Sequence, residues 1–145
     1  MSRLDSATTA TVAFLTGGLV IALAGCAELG DLARQQHEEA FGTYGVAASD
    51  WVGVDIPGWI PDDATDLRNV ASLDETVAVI RVVTDSGLSG DCEPAAREGI
   101  PLLSVDWSVE KWPDEVWACG DYEVMAVEDG WLGWFQAAEP GQTPS

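Results

Sequence analysis

The chain has 145 residues, with 25 acidic side chains against six basic ones and a formal net charge of −19. That length suits one small domain and excludes a two-lobed receptor or a large enzyme. The charge excludes nucleic acid as a partner, because binding phosphates needs neutralising cations, and it disfavours adsorption to anionic lipid. A hydrophobic content of 47% is too high for a disordered chain.

Residues 1–5 carry Arg3 and Asp5, and an uncharged stretch follows over 6–27 with its apolar centre at 12–24. It contains Leu23-Ala24-Gly25-Cys26. An aliphatic residue, two small residues and a cysteine resemble the lipobox of bacterial lipoproteins. In that family the small residues fit a peptidase cleft and the thiol takes a diacylglycerol. The resemblance implies a signal peptide over 1–25, cleavage before Cys26, and lipid on that residue. The competing expectation is an uncleaved anchor, since residues 6–27 at about 1.5 Å each span about 30 Å of hydrocarbon. Either way Arg3 stays inside and the acidic chain is exported. Two acyl chains, at about 0.8 kcal/mol per buried methylene, make such anchorage close to permanent.

Residues 26–50 are expected to form the anchor and tether. Leu29, Leu32, Ala33, Ala40 and Phe41 predict a short helix over 27–41, with His37 on the same stripe. A lone His there reads as packed or solvated, because a metal ligand needs partners. Gly42 and Gly45 end the helix, and the small and polar residues of 42–50 continue the tether.

A globular β-rich domain is expected over 51–135. Pro57, Gly58 and Pro61 predict a loop or an edge strand. Residues 66–72 and 76–84 predict strands around a turn at Leu73-Asp74-Glu75, the second rich in β-branched residues. Residues 87–90 turn the chain, 92–101 form a loop with a short helix at 94–98, 102–107 extend, and 108–115 turn again. Over 122–128, Tyr122, Val124 and Ala126 alternate with Glu123, Met125 and Val127. Asp129-Gly130 predicts a type I′ hairpin turn into a strand over 131–135. Residues 136–145 read as a disordered tail. The expected fold is α+β, mainly antiparallel β, in one small disulfide-bridged domain after the signal helix.

With Cys26 taken by lipid, Cys92 and Cys119 remain, and a pair in an oxidising compartment predicts a disulfide. Asp62-Asp63-x-x-Asp66 lacks the ligand spacing of a Ca²⁺ loop, as do Asp85, Asp91 and Glu93, so these acids read as solvated or as turn caps. No metal or cofactor is expected. Seven Trp are many for this length. Most should build the core, but Trp131 and Trp134, three apart on one strand, face opposite ways, so one of them is a candidate binding residue.

Cys119-Gly120-Asp121-Tyr122-Glu123 followed by Asp129-Gly130-Trp131-Leu132-Gly133-Trp134 resembles the C-terminal end of small uncharacterised lipoproteins from actinobacteria. That resemblance implies an exported address and a similar fold, with no activity or site residues. The expected function is a membrane-anchored, non-enzymatic module that binds an envelope protein or wall component. A cation- or glycan-binding module and a carboxylate-based wall hydrolase are the alternatives.

Overall fold

The computed structural model describes residues 35–52, 55–107 and 109–138. The motif that resembles a lipobox, with Cys26, and the apolar stretch before it lie outside these residues, as do residues 139–145 of the expected tail. Seven strands form one antiparallel sheet: β1 (Gln36–Thr43), β2 (Thr65–Ser72), β3 (Val77–Val83), β4 (Cys92–Ala96), β5 (Glu115–Cys119), β6 (Tyr122–Val127) and β7 (Gly130–Gln136), with one short helix, α1 (Tyr44–Asp50). Their order across the sheet is β1-β2-β3-β7-β6-β5-β4. Two meanders, β1–β3 and β4–β7, therefore meet at the central β3–β7 pairing. The mainly antiparallel architecture agrees with the expectation, as does the disulfide joining Cys92 to Cys119.

Alternation along each strand sends apolar side chains to both faces. Ile80, Val82, Tyr122, Val124 and Phe135 pack on the first face with Leu67 and Trp59, while Val79, Val116, Met125, Leu132 and Trp134 pack on the second. Each face needs a cover, and the long connections supply it. Trp59 and Ile60 come from the connection between α1 and β2, and Leu88 from the one between β3 and β4. Val105, Trp107, Val109 and Trp112, from the connector between β4 and β5, cover the second face. Gly133 admits Trp59: a Cβ there would collide with the indole, so the missing side chain is what lets the ring lie on the sheet.

Several local expectations are corrected. Residues 36–43 form an edge strand instead of the end of a helix. Spacings of four, as in Ala33, His37 and Phe41, are also multiples of two, so the stripe fits a strand equally well. Pairing with β2 decides the matter, and Phe41 stacks on Trp51 at 5.6 Å between ring centroids. The segment read as a tether contains α1, capped by Thr43, whose Oγ1 accepts the Val46 N–H at 3.4 Å. Ala47 is fully buried, so α1 packs on the first face.

Residues 92–96 are a strand where a loop with a helix at 94–98 was expected, and Pro94 is tolerated because β4 lies at the sheet edge. Residues 102–107 do not form a strand, and β5 begins at Glu115. The β6–β7 hairpin pairs Val127 with Gly130, which makes Glu128 and Asp129 its two loop residues. Neither has positive φ, so the turn is not type I′. A Cβ on Gly130 would overlap the backbone of Val82 and Val83 on β3. Close approach, not the turn, accounts for this glycine. Gly120, at φ 62, opens the tight β5–β6 turn with Asp121, matching a type II′ loop.

Candidate functional site

The two candidate Trp residues do face opposite ways, and both are packed. Trp131 is half-buried on the first face, its Nε1 donating to the Ser86 carbonyl at 3.0 Å. Trp134 is 2% exposed on the second face. Its Nε1 donates to Glu123 Oε2 at 2.9 Å and Trp112 meets it edge-on at 5.3 Å. The exposed Trp is instead Trp117, on β5 opposite Pro94. Trp134 therefore serves the core and is not offered to a ligand.

Of the acids singled out from the sequence, Asp63 is the one tied into the fold by hydrogen bonds among the described residues, while Asp62, Asp66, Asp85, Asp91 and Glu93 are exposed. Asp63 accepts the Ser86 hydroxyl at 2.7 Å and the Thr84 hydroxyl at 2.9 Å, clamping two loops together. Those hydrogen bonds, Ser86 first, hold its carboxyl below the ordinary value. Asp66 sits in the irregularity between β2 and β3. Among the described residues, no three His, Cys, Asp or Glu side chains group as a metal site would require. His37 shares a strand face with Glu39 and Phe41, opposite to Gln36 and Glu38.

Glu123, on the second face, accepts the Glu98 and Gly99 N–H groups at 2.6 and 3.1 Å as well as the Trp134 indole. Arg97 completes the anchorage, donating to the carbonyls of Pro113 and Gly99 at 2.8 and 3.0 Å. Both ends of the connector are thereby fixed beside β4. The residues between them reach across the sheet towards β1.

There the connector leaves a groove of about 510 Å³, lined by Gln36 and Glu38 of β1, Val70 of β2, and Ser104, Val105, Asp106 and Trp107. Val70 is buried, while Glu38, Ser104 and Asp106 are exposed. Trp107 Nε1 is buried and has no hydrogen-bond partner among the described residues. The ion pair seen among them joins Arg81 to Asp129 at 2.7 Å, so Glu38 and Asp106 carry no paired cation there. An apolar floor, an indole wall and two carboxylates without a direct ion pair among the described residues suit a cationic group with an aliphatic stem. The sequence reasoning missed this groove because its walls come from segments about 70 residues apart in the sequence.

A second cavity, about 280 Å³, adjoins the disulfide and is lined by Gly58, Trp59, Ser89, Gly90, Asp91, Cys92, Cys119 and Gly120. Trp59 Nε1 and the Tyr122 hydroxyl are both buried without a partner among the described residues, and their rings lie 6.1 Å apart. Burial, with Asp121 adding charge repulsion, pushes the Tyr122 hydroxyl well above its ordinary range and keeps it neutral.

No protein-family model, curated protein or solved structure matches this chain. Among the described residues, no helix is long and apolar enough to cross a membrane.

Proposed function

We propose that this chain is an exported lipoprotein, held on the outer face of the cytoplasmic membrane through a lipid on Cys26, whose domain is a non-catalytic binding module at the envelope. The cysteine arithmetic carries the reading. Three cysteines are present, Cys92 and Cys119 are joined, and Cys26 closes the Leu23-Ala24-Gly25-Cys26 motif. A disulfide fits an oxidising compartment, and the lipobox resemblance accounts for the odd cysteine. The apolar stretch before it serves as the signal peptide.

From Cys26 to Gln36 the chain reaches at most about 36 Å at roughly 3.6 Å per residue, so β1 sits close to the membrane while the negative surface keeps the domain off anionic lipid. The groove beside β1 supplies a place for a partner, and its carboxylates and Trp107 favour a cationic one over a glycan. Cys26→Ala should abolish metabolic labelling with palmitate and release the chain from the membrane fraction. Labelling that survives the substitution would overturn the reading.

A further inference from the structure

The two ends of the sheet differ in what they offer a partner. At β4 the backbone edge is interrupted by Pro94, which has no N–H to donate. At β1, eight residues run without proline, and among the described residues no strand pairs with their outer side. An unpaired strand edge is a template for another extended segment. Beside it, on the second face, lies the groove lined by Glu38, Asp106 and Trp107.

We propose that β1 and this groove take an extended basic segment of a partner protein, added as an eighth strand, with a Lys or Arg side chain entering the groove. This deepens the binding-module reading and rests on it. Backbone pairing along β1 supplies affinity without sequence preference, and the groove supplies selection. Val70 and Trp107 give the side chain apolar surface, and Glu38 and Asp106 line the same groove as partners for its cation. A chain carrying −19 draws such a segment in by long-range attraction. The same charge argues against a second copy as the occupant. Two β1 edges set side by side would oppose Glu38 and Glu39 of one strand to those of the other, and like charges directly opposite destabilise a pair.

The test uses the purified full-length chain in detergent and three probes: a ten-residue peptide alternating Lys and Val, the same peptide with Glu for Lys, and lysine amide. The Lys peptide should bind, weaken with added salt, and protect β1 amides from hydrogen exchange; the Glu peptide and lysine amide should not bind in the same range. Glu38→Gln with Asp106→Asn should weaken the Lys peptide on the order of tenfold, as two exposed charge contacts of up to about 0.7 kcal/mol each imply. Both substituted side chains are exposed, so the melting temperature should hold and fold loss is separated from binding loss.

Equal binding of the Glu peptide, equal binding of lysine amide, or unchanged Lys-peptide affinity in the double variant would overturn the proposal. Self-association through β1 would overturn it in favour of a second copy. A chain that binds the Lys peptide but takes no lipid at Cys26 would leave this inference standing and remove only the anchor. A lipidated chain that ignores the peptide would do the reverse.

Discussion

The edges at β4 and β1 are protected by different physics. At β4 a disulfide ties Cys92 to its register partner Cys119 on β5, Pro94 interrupts the donor row, and the residues that follow are pinned by Arg97 and Glu123. At β1 there is no covalent tie. Its defence is charge, with Glu38 and Glu39 in mid-strand, and among the described residues Glu39 alone of the two is engaged within the fold, accepting from Asn69 Nδ2 at 3.1 Å. Natural sheets use both devices against unwanted pairing. They differ in what can undo them. A covalent tie to β5 holds β4 in place at any salt concentration while Pro94 breaks its outer row, whereas an acidic edge repels its own kind and admits the opposite charge.

Opening the covalent edge should have the largest effect. Cys92→Ala with Cys119→Ala releases a loop of sequence separation 27, which loop entropy values at about 3–4 kcal/mol. The melting temperature should fall on the order of 10–20 °C for a domain of this size. Calorimetry under non-reducing conditions checks it, and a fall of only a degree or two would show that hydrogen bonding alone secures β4. Next in size is Glu123→Ala, which strips a carboxylate from two backbone N–H groups and the Trp134 indole. A loss of about 2–3 kcal/mol is expected from donors left without their acceptor. Hydrogen exchange should rise at Glu98 and Gly99 before it rises at β1. Simultaneous loosening of both edges would show that the connector braces the whole sheet.

The closed edge was partly legible in the sequence and the open one was not. Cysteine arithmetic pointed to Cys92 and Cys119 without any coordinates. Strong β-branched content marked β3, and alternation sorted Tyr122 and Val124 from Met125 and Val127 onto the faces they occupy. The β1 edge was misread because Ala33, His37 and Phe41 satisfy both periods, and only pairing with β2 separates strand from helix there. Pro94 hid β4 for a related reason: proline counts against a strand until the strand is known to be at an edge. The groove was illegible because neither β1 nor the connector carries a motif of its own. Trp131 and Trp134 were placed on opposite faces correctly, but exposure depends on what covers each face, and residues 97–114 carry no periodic signal that would announce a cover.

Two smaller effects probe the open edge. Glu38→Thr keeps a side chain suited to a strand and removes one repulsive charge from β1. Stability should shift by less than about 0.5 kcal/mol, as is usual for exposed substitutions. Self-association measured by sedimentation should nevertheless increase, and more so at high salt, where the remaining charges are screened. A variant as monomeric as the parent at all salt concentrations would mean that charge is not what keeps β1 unpaired.

One acid of this half of the sheet is set apart by its hydrogen bonds. In the β2–β3 turn, Asp74 accepts hydrogen bonds from the hydroxyls of Ser72 and Thr76 at 2.6 and 2.8 Å, and from the Thr76 N–H at 3.3 Å. These bonds, Ser72 first, hold its pKa below the ordinary 3.8. A depressed folded-state pKa contributes stability that is present above 3.8 and is lost as pH falls through the lower folded value. Acidification meanwhile relieves repulsion across the rest of this acidic surface, which works in the opposite direction. The measurement that isolates Asp74 is therefore a difference: parent minus Asp74→Asn, each unfolded in urea across the acid range. The difference should be constant above about pH 5 and shrink below it, because only the parent has this proton to gain. A difference that stays flat across the acid range would mean that these hydrogen bonds hold nothing that protonation of Asp74 removes.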